Sequence, residues 1–317
     1  MLPGWILLLV SVAYAALLFV VAWWGDRHPQ YSQGRSWLRP LVYSLSLAVY
    51  CSSWTFYGAV GTATRTGIGY FAIYLGPLLM LLFGWRILER LALVAQSQGT
   101  VSIADFIAAR YGRSQRLAAM VSVIALIAAV PYLALHYKAV AESLGVLGGR
   151  AVSHSALGDP ALYVAMLMAL FAILYGTRQV DASEHRPGMM LAIALESMVK
   201  LVALIAVGVF AIGWFAGRDL QLVDATRALL VDHRPVGFIG QTLLAFTAIL
   251  CLPRQFHVAV VECVEVADIR RARWMFGTYL ALISLMVLPI ASAGLALFDG
   301  DSSVAPDSIV LALPLTR

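Results

Sequence analysis

Eight runs of mostly apolar residues recur along the chain, at 5–24, 41–62, 70–94, 117–147, 161–177, 189–216, 237–258 and 274–298. About 20 such residues suffice to cross a bilayer as a helix. Hydrocarbon offers no water to backbone amides, so each run must satisfy its own hydrogen bonds. The pattern therefore predicts an all-α polytopic membrane protein of about 8 transmembrane helices, organised as one domain over residues 1–317. Only 12% of the residues are charged, against roughly 25% in soluble domains, which excludes a large soluble core.

The charge that remains is patterned. Segments 25–40, 84–116, 178–188 and 254–274 carry fourteen Lys or Arg, and the opposite loops carry six. The positive-inside rule then places the N-terminus outside. The net charge of +5 belongs to this bias and is no signal for nucleic acid. The first run lacks a basic leader and exceeds a signal-peptide core, so it reads as a retained helix. Cys51, Cys251 and Cys263 are odd in number and show no metal spacing, so neither a disulfide framework nor a metal site is expected. "SIADFIAARYGRSQR" (102–116) predicts a short interfacial helix with Ile103, Phe106 and Ile107 on one face and Gly112 at its end. An apolar stretch starts at Ile309 and stops at once, which reads as a chain cut short.

Two of the runs are interrupted. The second carries Cys51, Ser52, Ser53, Thr55 and Tyr57, then Gly58 and Gly61. The seventh, "LLAFTAILCLPRQFHVAVVE", holds Pro253, Arg254 and Gln255 after an apolar stretch. Proline removes an amide and clashes with the preceding turn, freeing carbonyls near Ile249. The interrupted spans lie five helices apart, as in transporters built from inverted five-helix repeats, whose binding site forms where two unwound helices meet. Small residues in one helix also serve as a packing surface, and a lone proline is commonly a kink. The paired interruptions favour a binding site, with Tyr50, Ser53, Trp54, Tyr57, Pro253 and Arg254 as candidates. Trp54 and Tyr57 serve either packing or ligand contact. Arg254 either snorkels to the membrane face or meets a ligand carboxylate.

The segments "SLAVYCSSWTFYGAVGTATRTGIGY", "TVSIADFIAARYGRSQ", "VPYLALHYKAVAESLG" and "CLPRQFHVAVVE" with "ADIRRARWMFGTYLALISLMVLPIASAGLAL" resemble the transporter-like N-terminal domain of CbrA-type sensor histidine kinases. That domain is similar to the sodium:solute symporter family. The resemblance implies a partial leucine-transporter-type inverted-repeat bundle, with 41–62 and 237–258 as the first helices of the two repeats and the C-terminal helices missing. It implies a sensory or transport domain for a small polar nutrient, an amino acid such as histidine, working with downstream kinase modules or a response regulator. A stand-alone sodium:solute symporter is the alternative. "PRQFH" and "RRARWMFGTYL" set the kinase-linked branch apart from ordinary symporters. No phosphoacceptor or nucleotide motif is present, so kinase activity is not expected of these residues, and neither HExxH nor GxSxG occurs. The chain is read as a non-enzyme without a cofactor.

Ionisable groups at membrane depth are costly and read as functional by default. Glu196 with Lys200 and Lys138 with Glu142 are each four apart, a spacing for mutual neutralisation or a proton path. His136, in "PYLALHYK", lies on the helix that lines the site in the resembling family, and a structural histidine is the competing reading. The resemblance also puts a sodium site on the backbone carbonyls of Ala48 and Cys51. Proline-permease-like members have a carboxylate between these positions, where this chain has Tyr50, and residues 41–64 contain no Asp or Glu. A proton is therefore preferred to sodium as the coupling ion, with Glu196 or His136 as carrier.

Overall fold

A computed structural model describes residues 3–31, 37–148, 160–176, 186–216, 222–231, 236–298 and 304–316. Among the described residues every regular element is helical. In chain order the helices are α1 (Gly4–Arg27), α2 (Leu38–Leu47), α3 (Ala59–Thr66), α4 (Ala72–Phe83), α5 (Trp85–Gln98), α6 (Ile103–Arg110) and α7 (Gln115–Gly148). There follow α8 (Pro160–Phe171), α9 (Pro187–Ala216), α10 (Leu222–Val231), α11 (Phe238–Cys251), α12 (Pro253–Phe256), α13 (Ala267–Phe298) and α14 (Ile309–Ala312).

Among the described residues, five helices are long and apolar enough to cross a membrane, or up to seven if each bent pair is one span. Eight were expected. The shortfall has physical causes. The helix that starts at Leu38 stops at Cys51, whose extended ψ of 95° ends it, so the 41–62 region is cut in two. From Trp54 to Phe83 the chain then runs as one 30-residue apolar span, through Gly67 at φ 56° and ψ −122°, a left-handed conformation suited to glycine, so the remainder of the second run and the start of the third share one span. The 161–177 region gives the twelve-residue α8 and a π-turn at Ala172–Gly176, short for a span.

The core lies where α2, α9 and α13 pack on one another, and Leu47, Leu204, Ile283 and Ile290 are among its fully buried side chains. Apolar packing alone gives little drive inside lipid, so close approach at small residues decides which helices pair. Gly76 of α4 sits against the backbone of α11, where an added Cβ would meet Phe246 N and Thr242 O at 2.5 Å. α7 lies outermost, with Leu126 and Ile127 exposed although apolar, as a lipid-facing helix must be. α6 begins as the sequence predicts: Ser102 Oγ accepts from Asp105 N at 3.1 Å, and Asp105 Oδ2 accepts from Val101 N at 3.2 Å. Phe106 then packs on Phe256 at 5.4 Å, docking this short helix on the seventh run.

α1 is held mainly by α9. Gly188 and Gly25 bring the two backbones together, and Gly188 N donates to Asp26 Oδ1 at 2.9 Å. A side chain at Gly188 would collide with Ala22 O. Gly188→Val is therefore expected to cost about 1–3 kcal/mol through overpacking, read as a lowered thermal unfolding midpoint in detergent. An unchanged midpoint would show that the crossing does not hold α1.

Candidate functional site at two helix breaks

The first break follows from residues that cannot hold an α-helix in register. After α2 and a 3₁₀ turn (Ala48–Tyr50), Cys51 is extended and the chain resumes as a π-turn over Trp54–Gly58. At the second break Leu252 takes φ −70° and ψ 124°, Pro253 starts α12 and the axis bends by 53°. Pro253 suits that first helical position because its missing amide would have had no partner there. A π-turn at His257–Val261 follows.

Buried carbonyls left by such irregular turns need donors, and the structure supplies them as side chains. Gln255 Nε2 donates to Leu47 O at 3.1 Å, so the second break caps the first. Tyr43 Oη donates to Ala259 O at 2.7 Å and Tyr74 Oη to Thr55 O at 2.8 Å, each reaching a π-turn. Lys200 Nζ lies 3.5 Å from Cys51 O and pairs with Glu196 Oε1 at 2.5 Å. The two interruptions meet.

The candidate residues take different parts in this arrangement. Tyr50 is buried, and its hydroxyl is spent on Ile73 O at 2.9 Å. Ala48 O accepts Cys51 N at 2.8 Å, while Cys51 O faces the Lys200 ammonium. Ser53 is half-buried at the start of the π-turn. The Trp54 ring lies over Gly58, and both Trp54 and Tyr57 pack against the core. Pro253 is exposed at the head of α12. Arg254 is half-buried, with its guanidinium carbon 4.4 Å from the centre of the Tyr132 ring. Tyr132 lies midway along α7, so the Arg254 guanidinium stacks on that helix. Among the described residues no carboxylate pairs with it. His136 stands one turn from Tyr132, its ring 4.2 Å away and its Nδ1 2.8 Å from Tyr132 O.

Arg254, Tyr132, His136, Tyr50 and Cys51 thus gather in one neighbourhood, with Ser52 beside Tyr132 and Lys200 beside Cys51. Ser52, Tyr132 and Lys200 of this neighbourhood were not among the candidates read from the sequence, nor was Gln255 where the two breaks join. Gln255 carried a signal, being an amide directly after a break in an apolar run. Gln255 Oε1 is buried and closes no hydrogen bond among the described residues. Buried polar atoms without partners are uncommon and call for an explanation. A half-buried guanidinium with no carboxylate beside it among the described residues can receive an anionic group.

A second polar cluster closes the arginine-rich end. Arg39 at the start of α2 pairs with Asp268 (Nε to Oδ2, 2.6 Å) and with Glu265 (Nη1 to Oε1, 2.8 Å). A small cleft there is lined by Arg39, Tyr43, Glu262 and Asp268. His257 Nε2 approaches Glu262 Oε1 at 3.3 Å, and Glu262 also accepts Arg186 N. Burial pushes the nearby Cys263 thiol up to about 12, so it stays protonated and unreactive at neutral pH.

Fold and site together define a polytopic helical membrane protein in which two broken helices meet. Residues 31–176, a little under half of the chain, match the model of the sodium:solute symporter family. The match takes in the first break and Tyr132, and stops short of the second break. No curated protein and no solved structure matches the chain.

Proposed function

We propose that this chain is a solute-binding membrane domain of the symporter type, taking a small polar solute with a carboxylate where the two breaks meet. The observation that carries the reading is Arg254, half-buried and held on Tyr132 with no acidic partner among the described residues. A guanidinium grips a carboxylate through two parallel hydrogen bonds, and an amino acid such as histidine carries that group. The family match over 31–176 supports solute transport in a bilayer. The test is calorimetric titration of the detergent-solubilised protein with histidine and with histamine, which keeps the imidazole and lacks the carboxylate. Histidine should bind saturably and histamine should not. Equal binding of both would remove the carboxylate from the argument.

The finer reading is a sensory domain of a two-component histidine kinase, in a bacterial inner membrane with a periplasmic N-terminus and with downstream kinase modules or a response regulator as partners. It rests on the "PRQFH" and "RRARWMFGTYL" segments. A stand-alone symporter competes with it, and an ATP-binding module encoded beyond Arg317 would decide for the sensor.

Sodium is expected to have no effect on binding. The Cys51 carbonyl that the family resemblance assigns to the ion already faces the Lys200 ammonium at 3.5 Å. Lys200 is itself held there by its pair with Glu196, so a sodium ion would have to displace the ammonium to reach that carbonyl. Histidine affinity should therefore agree within about twofold between sodium and choline buffers of equal ionic strength. A tenfold sodium enhancement, ~1.4 kcal/mol, would overturn this and reopen a cation site beside Ala48 and Cys51.

A further inference from the structure

Trp85 opens α5 just past the end of α4. Phe83 and Ile87 on either side of it are 76% and 47% exposed, so lipid-facing surface persists to this level. The start of α13 packs beside it and changes character at the same height. Arg270, Arg271 and Arg273 lead directly into the exposed Trp274 and Met275. Tryptophans at a boundary between apolar and charged surface mark the headgroup layer.

Three guanidinium groups surround the Trp85 ring. Their carbons lie 4.8 Å (Arg273), 5.4 Å (Arg270) and 5.6 Å (Arg86) from its centre. Arg273 is also 5.0 Å from the Trp274 ring, so it is clamped between two indoles. Its Nε is buried and has no hydrogen-bond partner among the described residues. Glu89 takes Arg270 at 3.4 Å and offsets one of the three charges. Two positive charges are left, and like charges this close repel unless an anion joins them.

We propose that Trp85, Arg86, Arg270, Arg273 and Trp274 form a binding site for the phosphate of an anionic phospholipid. The indoles hold the guanidinium planes in place, the N–H groups donate to the phosphate, and Phe83, Ile87 and Met275 flank the acyl chains. Basic pockets between membrane helices bind such headgroups, and anionic lipid lies in the cytoplasmic leaflet, the side to which the arginine bias assigns this end. A phospholipid is favoured over free phosphate because the arginines are continuous with exposed apolar surface.

The test is native mass spectrometry of the full chain in micelles doped with phosphatidylglycerol, phosphatidylcholine or inorganic phosphate. The wild type should retain phosphatidylglycerol in preference to phosphatidylcholine. Each arginine lost should weaken retention about fivefold, so R86Q/R270Q should fall by about 25-fold. R110Q/R113Q, at the same end and outside the cluster, should match the wild type. If R86Q/R270Q does not fold, R86Q alone, on an exposed side chain, carries the test with its fivefold loss. Equal retention of both lipids, undiminished retention by the arginine variants, or inorganic phosphate displacing the lipid at equal concentration would each overturn the proposal.

Discussion

Arg254→Gln is expected to abolish most of the affinity for histidine, with a loss of about 2–5 kcal/mol, or 30-fold and upward. Arg254 is half-buried and stacked on Tyr132, with no carboxylate beside it among the described residues. A bound carboxylate would supply that missing charge in a medium that screens poorly. Glutamine keeps the approximate length and can still donate, but removes the charge and the fork. Arg254→Lys should fall between, because lysine keeps the charge and loses the planar face that stacks on an aromatic ring. Calorimetric titration of the full chain in detergent reads both variants. Affinities within about threefold of the wild type for Arg254→Gln, under ~1 kcal/mol, would show that the guanidinium serves the fold and not a ligand.

The fold class was legible because lipid leaves little choice: long apolar runs become helices, and Pro253 and the Cys51–Ser53 stretch announce where two of them fail. Three things were hidden. Span count was one, because Cys51 cuts the second run, and the chain from Trp54 to Phe83 joins what is left of it to the third run as one 30-residue span, at places that hydropathy does not mark. The setting of Arg254 was another. An arginine after a proline reads as a snorkelling end or as a contact for a ligand carboxylate, and only the packing of α7, more than a hundred residues earlier, puts the Tyr132 ring beside it. The third was how the broken backbone is satisfied. Tyr43, Tyr74, Gln255 and Lys200 reach carbonyls that are distant in sequence or lie on the other broken helix. Tyrosine in a membrane run reads first as an interfacial or packing residue, and nothing local says which carbonyl its hydroxyl will find. Lys200 was legible as half of a pair with Glu196, which the structure forms, and not as a donor to Cys51 O. That second contact is the one that bears on ion coupling.

Asp268→Ala is expected to destabilise the protein by about 3 kcal/mol, the lower part of the range for breaking a buried ion pair. Arg39 and Asp268 expose only 8% and 5% of their side chains, and they are joined by two hydrogen bonds, from Nε to Oδ2 at 2.6 Å and from Nη2 to Oδ1 at 3.2 Å. Removing the acid leaves a buried guanidinium with Glu265, whose side chain is 48% exposed and so only partly compensates it. Asp268 also lies in the first turn of α13, where a carboxylate meets the positive end of the helix dipole. The pair therefore ties the start of the first broken helix to the start of α13. Charge removal and charge pairing can be told apart, because buried ion pairs replaced whole by apolar residues commonly cost little. Arg39→Met with Asp268→Leu should accordingly be more stable than Asp268→Ala alone, although it deletes more hydrogen bonds. Urea unfolding in detergent, followed by helical circular dichroism, ranks the variants. If Asp268→Ala lies within about 1 kcal/mol of the wild type, the value of an exposed pair, the tie is not part of what holds this end closed.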